Sequence, residues 1–152
     1  MLADMLRLST KTRYALRAML ELALREGEGP VQLREVAKAQ RISQKYLEQL
    51  ALPLRHAGLV HTERGPSGGY ELARPAAAIT ALEVVEAVEG PLRLLDCIGR
   101  PAACDRAGEC VARKLWARAG EALSQVLSEA TLAELRESQL AALTDQPPCY
   151  QI

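Results

Sequence analysis

The chain has 152 residues, 49% of them apolar and 25% charged, and its 19 basic and 19 acidic side chains balance to zero. That length gives one domain, or one domain with an arm; the composition excludes a disordered chain, and no apolar run reaches the roughly 18 residues of a membrane span. With no Phe and a single Trp the core is built from Leu, Val and Ala, which favours helices over sheets.

The residues Met1 to Met5 hold no basic run followed by an apolar one, so no secretory leader is expected and a cytoplasmic location is. Charge is unevenly spread. Residues 1–75 carry 12 Lys/Arg against 8 Asp/Glu, and residues 76–152 carry 7 against 11. A basic first half suits an anionic partner for that half alone.

Ser9 to Arg25 reads as a helix, with Leu16, Met19, Leu20, Ala23 and Leu24 recurring at three and four. Gly27 to Pro30 ends it. A short second helix covers about 33–40. Arg41 to Ser43 is a tight turn, and Ser43 can N-cap a third helix. In that helix Leu47, Leu50 and Leu54 share one side, while Gln44, Lys45, Glu48 and Gln49 share the other. Pro53 removes an amide there, which predicts a kink or an early end. Residues 59–63 and 70–73 look like short strands around the Gly-rich loop Arg64, Gly65, Pro66, Ser67, Gly68, Gly69.

Thr80 to Glu83 is a capping box, opening a helix that stops at Gly90. A loop from about Leu94 to Glu109 follows. A long helix then runs from about Cys110 to Ala130. One apolar stripe holds Val111, Leu115, Ala122 and Val126, and another holds Trp116, Leu123 and Leu127. A helix apolar on two sides needs a second partner. Thr131 to Glu134 is another capping box, opening a last helix. Residues 144–152 show no periodicity and read as a mobile tail.

Three short helices and a hairpin in this order describe a winged helix-turn-helix. The second helix braces the third, whose polar face can enter a DNA major groove. Gln, Lys and Glu are residue types that read base edges. In the loop, glycines permit positive φ and close backbone approach, and Arg64 suits a narrow minor groove. No Gly-Lys-Ser/Thr follows, so the loop is not a phosphate-binding P-loop. His56 and His61 read as structural or phosphate-contacting rather than metal ligands. No catalytic constellation is present, and an enzyme is not expected.

Four cysteines stand at 97, 104, 110 and 149. Clustering of three suggests metal or redox chemistry rather than a disulfide scaffold. The spacing is not that of a zinc ribbon. It lets Cys97, Cys104 and Cys110 converge on something larger than one ion, such as an iron–sulfur cluster. Zinc, a thiol switch and a loop without metal are the other readings. Cys149 reads as a bystander.

Several stretches carry a resemblance. They are Leu8 to Leu16, Ile42 to Leu50, Gly58 to Val60, Arg64 to Tyr70, Thr80 to Val88 and Thr131 to Leu135. Over about residues 5–140 the chain resembles the winged-helix regulators that include IscR, NsrR and CymR. The resemblance implies a mainly α fold: a winged helix-turn-helix DNA-binding domain over 1–90 with its wing at about 59–73. A cysteine-containing sensor segment over 91–109 follows, then dimerisation helices over 110–143. It implies a homodimer on a pseudo-palindromic double-stranded DNA operator, with no membrane partner. Carried over by motif, Lys45, Glu48 and Gln49, beside Ser43 and Gln44, read the major groove, and Arg64 to Gly69 form the minor-groove wing.

In IscR-like members three cysteines hold an iron–sulfur cluster, so the expected cofactor is such a cluster, 2Fe-2S rather than 4Fe-4S. Three departures matter. The gap from Cys97 to Cys104 is one residue longer than the resemblance implies. Arg113 stands where IscR-like members place a His, and Arg13 lies near the place of the NsrR-type acidic ligand. Neither arginine serves as a ligand, because each stays protonated. The fourth ligand is then solvent, a small thiol, or a carboxylate such as Asp96, Asp105 or Glu109. The reading is a DNA-binding regulator sensing cluster or redox status. The alternatives are the same regulator with a zinc or thiol switch, and an iron–sulfur carrier or electron-transfer module.

Overall fold

Ser9 stands in extended backbone and its hydroxyl accepts the amide of Lys11, which opens α1 over Thr10–Leu24. The computed structural model describes residues 8–144, and the tail beyond, Cys149 included, lies outside them. The buried face of α1 holds Ala15, Ala18, Met19, Leu22 and Ala23. Leu16, Leu20 and Leu24, which marked the apolar stripe in the sequence, are half-buried. Small side chains at 15 and 18 carry little weight in a periodicity, yet they let a neighbouring helix come close.

The second helix, α2 (Leu33–Gln40), ends at Arg41, whose left-handed backbone (φ 53°) makes the turn. Ser43 then accepts the amide of Tyr46 at 3.0 Å and caps α3 (Gln44–His56). The early end expected at Pro53 does not occur, since α3 runs through to His56. Pro53 removes only the amide that would reach the carbonyl of Gln49, an exposed residue. Beyond it, the Ala57 amide still reaches the Pro53 carbonyl at 3.0 Å.

Two strands follow, β1 (Val60–Glu63) and β2 (Gly69–Leu72). They pair antiparallel, with Val60 opposite Leu72, His61 opposite Glu71 and Thr62 opposite Tyr70. Val31 adds an isolated antiparallel bridge to β2, exchanging hydrogen bonds of 2.9 and 2.8 Å with Tyr70.

Thr80 caps α4 (Ala81–Glu89) with the expected box, its hydroxyl and the Glu83 side chain each satisfying the other's amide. Thr131 and Glu134 repeat the device at 2.9 and 3.2 Å and open α7 (Leu132–Thr144). The segment read as a plain loop instead contains a four-residue helix, α5 (Asp96–Gly99), and a 3-10 turn over Pro101–Ala103. The long helix α6 spans Val111–Glu129, with Cys110 and Ala130 as its flanking residues.

The starts of α4 and α7 are joined. The Ala81 amide reaches the Ala130 carbonyl at 2.8 Å, and the Leu132 amide reaches the Ile79 carbonyl at 2.9 Å. Met19, Val36, Leu47, Leu59, Ile79, Val84 and Leu132 are fully buried in one core, so α7 completes the winged domain. By contrast α6, which packs on α4, contributes no buried residue. Among the described residues no helix is long and apolar enough to cross a membrane.

Candidate nucleic-acid interface and sensor segment

The two faces of α3 divide cleanly. Leu47, Leu50, Ala51 and Leu54 are buried, whereas Ser43, Gln44, Lys45, Glu48 and Gln49 are exposed. Burial of one side fixes the rotation of the helix and therefore the direction of its polar side. The Gln44 amide donates to Glu48 Oε1 at 3.1 Å. That bond orders Glu48 while leaving its other oxygen free to accept.

Residues of α1 that the sequence does not assign to DNA contact also lie here. The Tyr14 ring stands edge-on to Tyr46 of α3, 6.0 Å between centroids. Arg13 and Arg17 place their guanidiniums 5.1 and 5.4 Å from the Tyr14 ring centre. Arg17 is further held by Gln40, through its side chain at 3.0 Å and its carbonyl at 2.7 Å. Two arginines four apart around a tyrosine were the available signal. They put positive charge beside α3.

In the wing, Arg64, Gly65, Pro66 and Ser67 are exposed. Gly65 has a φ of 111°, which an L side chain rarely adopts. At Gly69 the reason for glycine is different. A Cβ there would stand 2.4 Å from the Val31 carbonyl oxygen. Close approach at this glycine is thus to the protein's own backbone.

The three cysteines stand at three kinds of position. Cys97 lies in α5 and is half-buried, Cys104 follows the 3-10 turn and is exposed, and Cys110 is half-buried at the start of α6; all three are free thiols. Their sulfurs do not all lie within 4.8 Å of one another. Arg113 reaches back from α6, donating through Nε to the Cys97 carbonyl at 2.9 Å and through a terminal nitrogen to the Ile98 carbonyl at 3.4 Å. Arg93 also lies against α5, where a Cβ on Gly99 would run into its guanidinium. Asp96, Asp105 and Glu109 are exposed around the same segment.

A carboxylate ties α4 to the start of α1. Glu89, at the end of α4, accepts the hydroxyls of Ser9 and Thr12 at the start of α1, the latter at 2.7 Å. Partial burial pushes its carboxyl up, but these hydroxyls, nearby Lys11 and a backbone hydrogen bond from Thr12 outweigh that, so it sits below the ordinary glutamate value. Along α6, Val111 (80% exposed), Leu115 (58%) and Val126 (63%) leave one apolar stripe bare, with Trp116 at its edge (40%). Leu123 and Leu127, of the other stripe, are half-buried.

Residues 8–138 match the family described as Rrf2, iron-dependent transcriptional regulator. The chain is 41% identical over 130 residues to the HTH-type transcriptional regulator CymR of Bacillus subtilis, covering 86% of this chain and 89% of that one. It is 42% identical over 134 residues to the HTH-type transcriptional regulator IscR of Yersinia pestis, covering 88% and 81%. The solved structure of CymR, titled the global cysteine regulator of B. subtilis, is similar with a TM-score of 0.76 over 88% of this chain and 98% of that chain. The IscR of T. potens is similar at 36% identity, with a TM-score of 0.77 over 96% of this chain and 97% of its own. These relatives are regulators and not enzymes. With its winged helix-turn-helix and this match across nearly the whole chain, the protein belongs to the Rrf2 family of transcriptional regulators.

Proposed function

We propose that the protein is a homodimeric, sequence-specific DNA-binding regulator of the cytoplasm whose operator affinity is set through Cys97, Cys104 and Cys110. The observation that carries this reading is the polar face of α3, bare and fixed in direction by a buried opposite face, beside an arginine-bearing wing. Lys45, Glu48 and Gln49, beside Ser43 and Gln44, take the major groove, and Arg64 to Gly69 take the minor groove. Residues 1–90 form the DNA-binding part, 91–109 the sensor segment and 110–143 the dimerisation helices, of which α6 carries the dimer contact while α7 also packs into the core of the DNA-binding part. The bare stripe of Val111, Leu115 and Val126 supports a second copy as the partner of α6, since an exposed apolar row of this length costs solubility unless covered.

The donor set around α5 suits an iron–sulfur cluster. Three free thiols lie on or beside one short segment, and the exposed carboxylates Asp96, Asp105 and Glu109 belong to the same stretch of chain as candidates for a fourth position. Cys97, Cys104 and Cys110 would hold the group, which supplies a redox-sensitive tie among the three; 2Fe-2S is the proposed type. The chain's own residues do the rest. Arg113 holds Cys97 to α6 through its carbonyl, α6 packs on α4, and Glu89 joins α4 to the start of α1. A change at the cysteines thus has a continuous packed route to the DNA-binding helices.

A second reading, a thiol switch or zinc in place of the cluster, is favoured by Arg113, which occupies the expected place of a ligand and is committed to two carbonyls. One experiment separates the two. The anaerobically purified protein is assayed for visible absorption, iron and sulfide, and for binding to a panel of promoter duplexes. Colour with matched iron and sulfide, lost in Cys104→Ala, supports the cluster. A protein that stays colourless after reconstitution moves the account to thiols or zinc. Equal affinity for every duplex in the panel sinks sequence-specific regulation itself.

A further inference from the structure

We propose that the outer face of the wing is a divalent transition-metal site made by His61, Glu63 and Glu71. Nothing in the sequence order suggests it, since His61 alone reads as a structural or phosphate-contacting residue. The hairpin creates it. Alternation along β1 puts His61 and Glu63, two residues apart, on one face. The register then sets Glu71 of β2 directly opposite His61. One nitrogen and two carboxylate oxygens come to lie within 4.8 Å of one another, with His61 Nε2 3.1 Å from Glu71 Oε2.

The metal chemistry follows from the donors. Zinc bonds of about 2.0–2.2 Å require ligand atoms about 3.5 Å apart, so side-chain rotation alone completes the site on a backbone already paired. One imidazole with two carboxylates suits a borderline ion such as Zn²⁺. Mg²⁺ and Ca²⁺ prefer all-oxygen sites. Two carboxylates neutralise the dication, and a fourth position stays open because His61 and Glu63 are exposed. A consequence rests on the proposed function: if the wing approaches DNA, two carboxylates beside Arg64 repel phosphate, and a bound dication cancels that repulsion.

The chain has only two histidines, His56 and His61, which makes the test direct. The full chain with Cys97, Cys104, Cys110 and Cys149 changed to Ser is titrated with Zn²⁺ against a chromophoric chelator, while imidazole resonances are followed by NMR. The proposal expects one equivalent bound, His61 resonances shifted and His56 resonances still. Mg²⁺ should not compete, and His61→Ala should weaken binding by more than about 10-fold. If the serine variant does not fold, the wild-type chain titrated past its thiolate equivalents reads the same two imidazoles. Unmoved His61 resonances, or zinc affinity unchanged in His61→Ala, overturn the site. In a separate arm, a random-sequence duplex should bind more tightly with zinc, but not in His61→Ala. Zinc at His61 with duplex affinity unmoved would leave the metal site standing and overturn the contact between wing and DNA.

Discussion

Arg113 of α6 donates through Nε to the carbonyl of Cys97 in α5, at 2.9 Å. The bond crosses from the long helix to the segment carrying the first cysteine. It also explains how a four-residue helix, too short to be stable by itself, keeps its shape. Arg113→Ala should therefore free α5. Amide exchange at Ile98 and Arg100 should quicken, with a stability loss of about 1–2 kcal/mol. Unchanged exchange there would show that Arg93 and local packing suffice. Arg113→His removes the clamp and adds a ligand in one step. Visible absorption of the reconstituted protein should then decay more slowly in air than wild type.

Base reading in the major groove and groove-width reading by a charged wing predict different mutant signatures. Glu48→Ala should relax discrimination at one operator position by about 1–3 kcal/mol while the remaining positions keep their preference. Arg64→Ala should weaken most the duplexes with a narrow A·T-rich minor groove under the wing, and reduce the salt dependence by about one unit of slope. Fluorescence anisotropy over a panel of single-base operator variants, repeated at several salt concentrations, reads both.

The bare stripe of α6 gives a test of assembly with little risk to the fold. The double variant Leu115→Glu, Val126→Glu touches no buried residue, so its circular dichroism should match wild type. Sedimentation equilibrium should show a dimer for wild type and a monomer for the double variant. A variant that remains dimeric places the partner surface elsewhere.

Two glutamates make the protein acid-sensitive. In Glu83, burial pushes the carboxyl up, but the Thr80 amide and the Arg74 guanidinium, 2.6 Å away, outweigh it and hold it below the ordinary value; Glu89 is lowered by its own partners. For a carboxyl lowered in the folded state, the stabilisation is full above the unfolded value, about 4.3, and disappears as pH falls through the folded one. Urea midpoints measured from pH 7 down to pH 3 should fall for wild type across that window. The fall should be shallower for Glu83→Gln and Glu89→Gln.

Leu132 is fully buried although it belongs to the last helix. Leu132→Ala should cost about 2–5 kcal/mol, the usual range for a large-to-small core change, and lower the thermal midpoint of the whole chain in a single transition. Two separate transitions would show that α7 does not belong to the winged domain's core.

Much of this fold was legible because its signals are local. Ser43, Thr80 and Thr131 announce three helix starts through side-chain oxygens that satisfy nearby amides, and all three do so. The division of α3 into Leu47, Leu50 and Leu54 against Lys45, Glu48 and Gln49 follows from period alone. What was missed depends on contacts distant in sequence. The burial of Ala15 and Ala18, the clamp from Arg113 to Cys97 and the convergence of His61 on Glu71 depend on packing or strand register. Pro53 misled for a related reason: the cost of a lost amide depends on whether its carbonyl partner faces water, which sequence does not state.

The back-to-back starts of α4 and α7 have a mechanical consequence. Their two hydrogen bonds, Ala81 to Ala130 and Leu132 to Ile79, pin the far end of α6 to the core. Its near end is held by Arg113 alone among the side-chain hydrogen bonds to Cys97 and Ile98 described for it. Nineteen residues make a rod about 28 Å long. Such a rod is a lever with its pivot at Ala130. Because α6 also packs on α4 and α5, release of the Arg113 guanidinium from Cys97 would loosen the end near Val111 first and leave the end at Ala130 held.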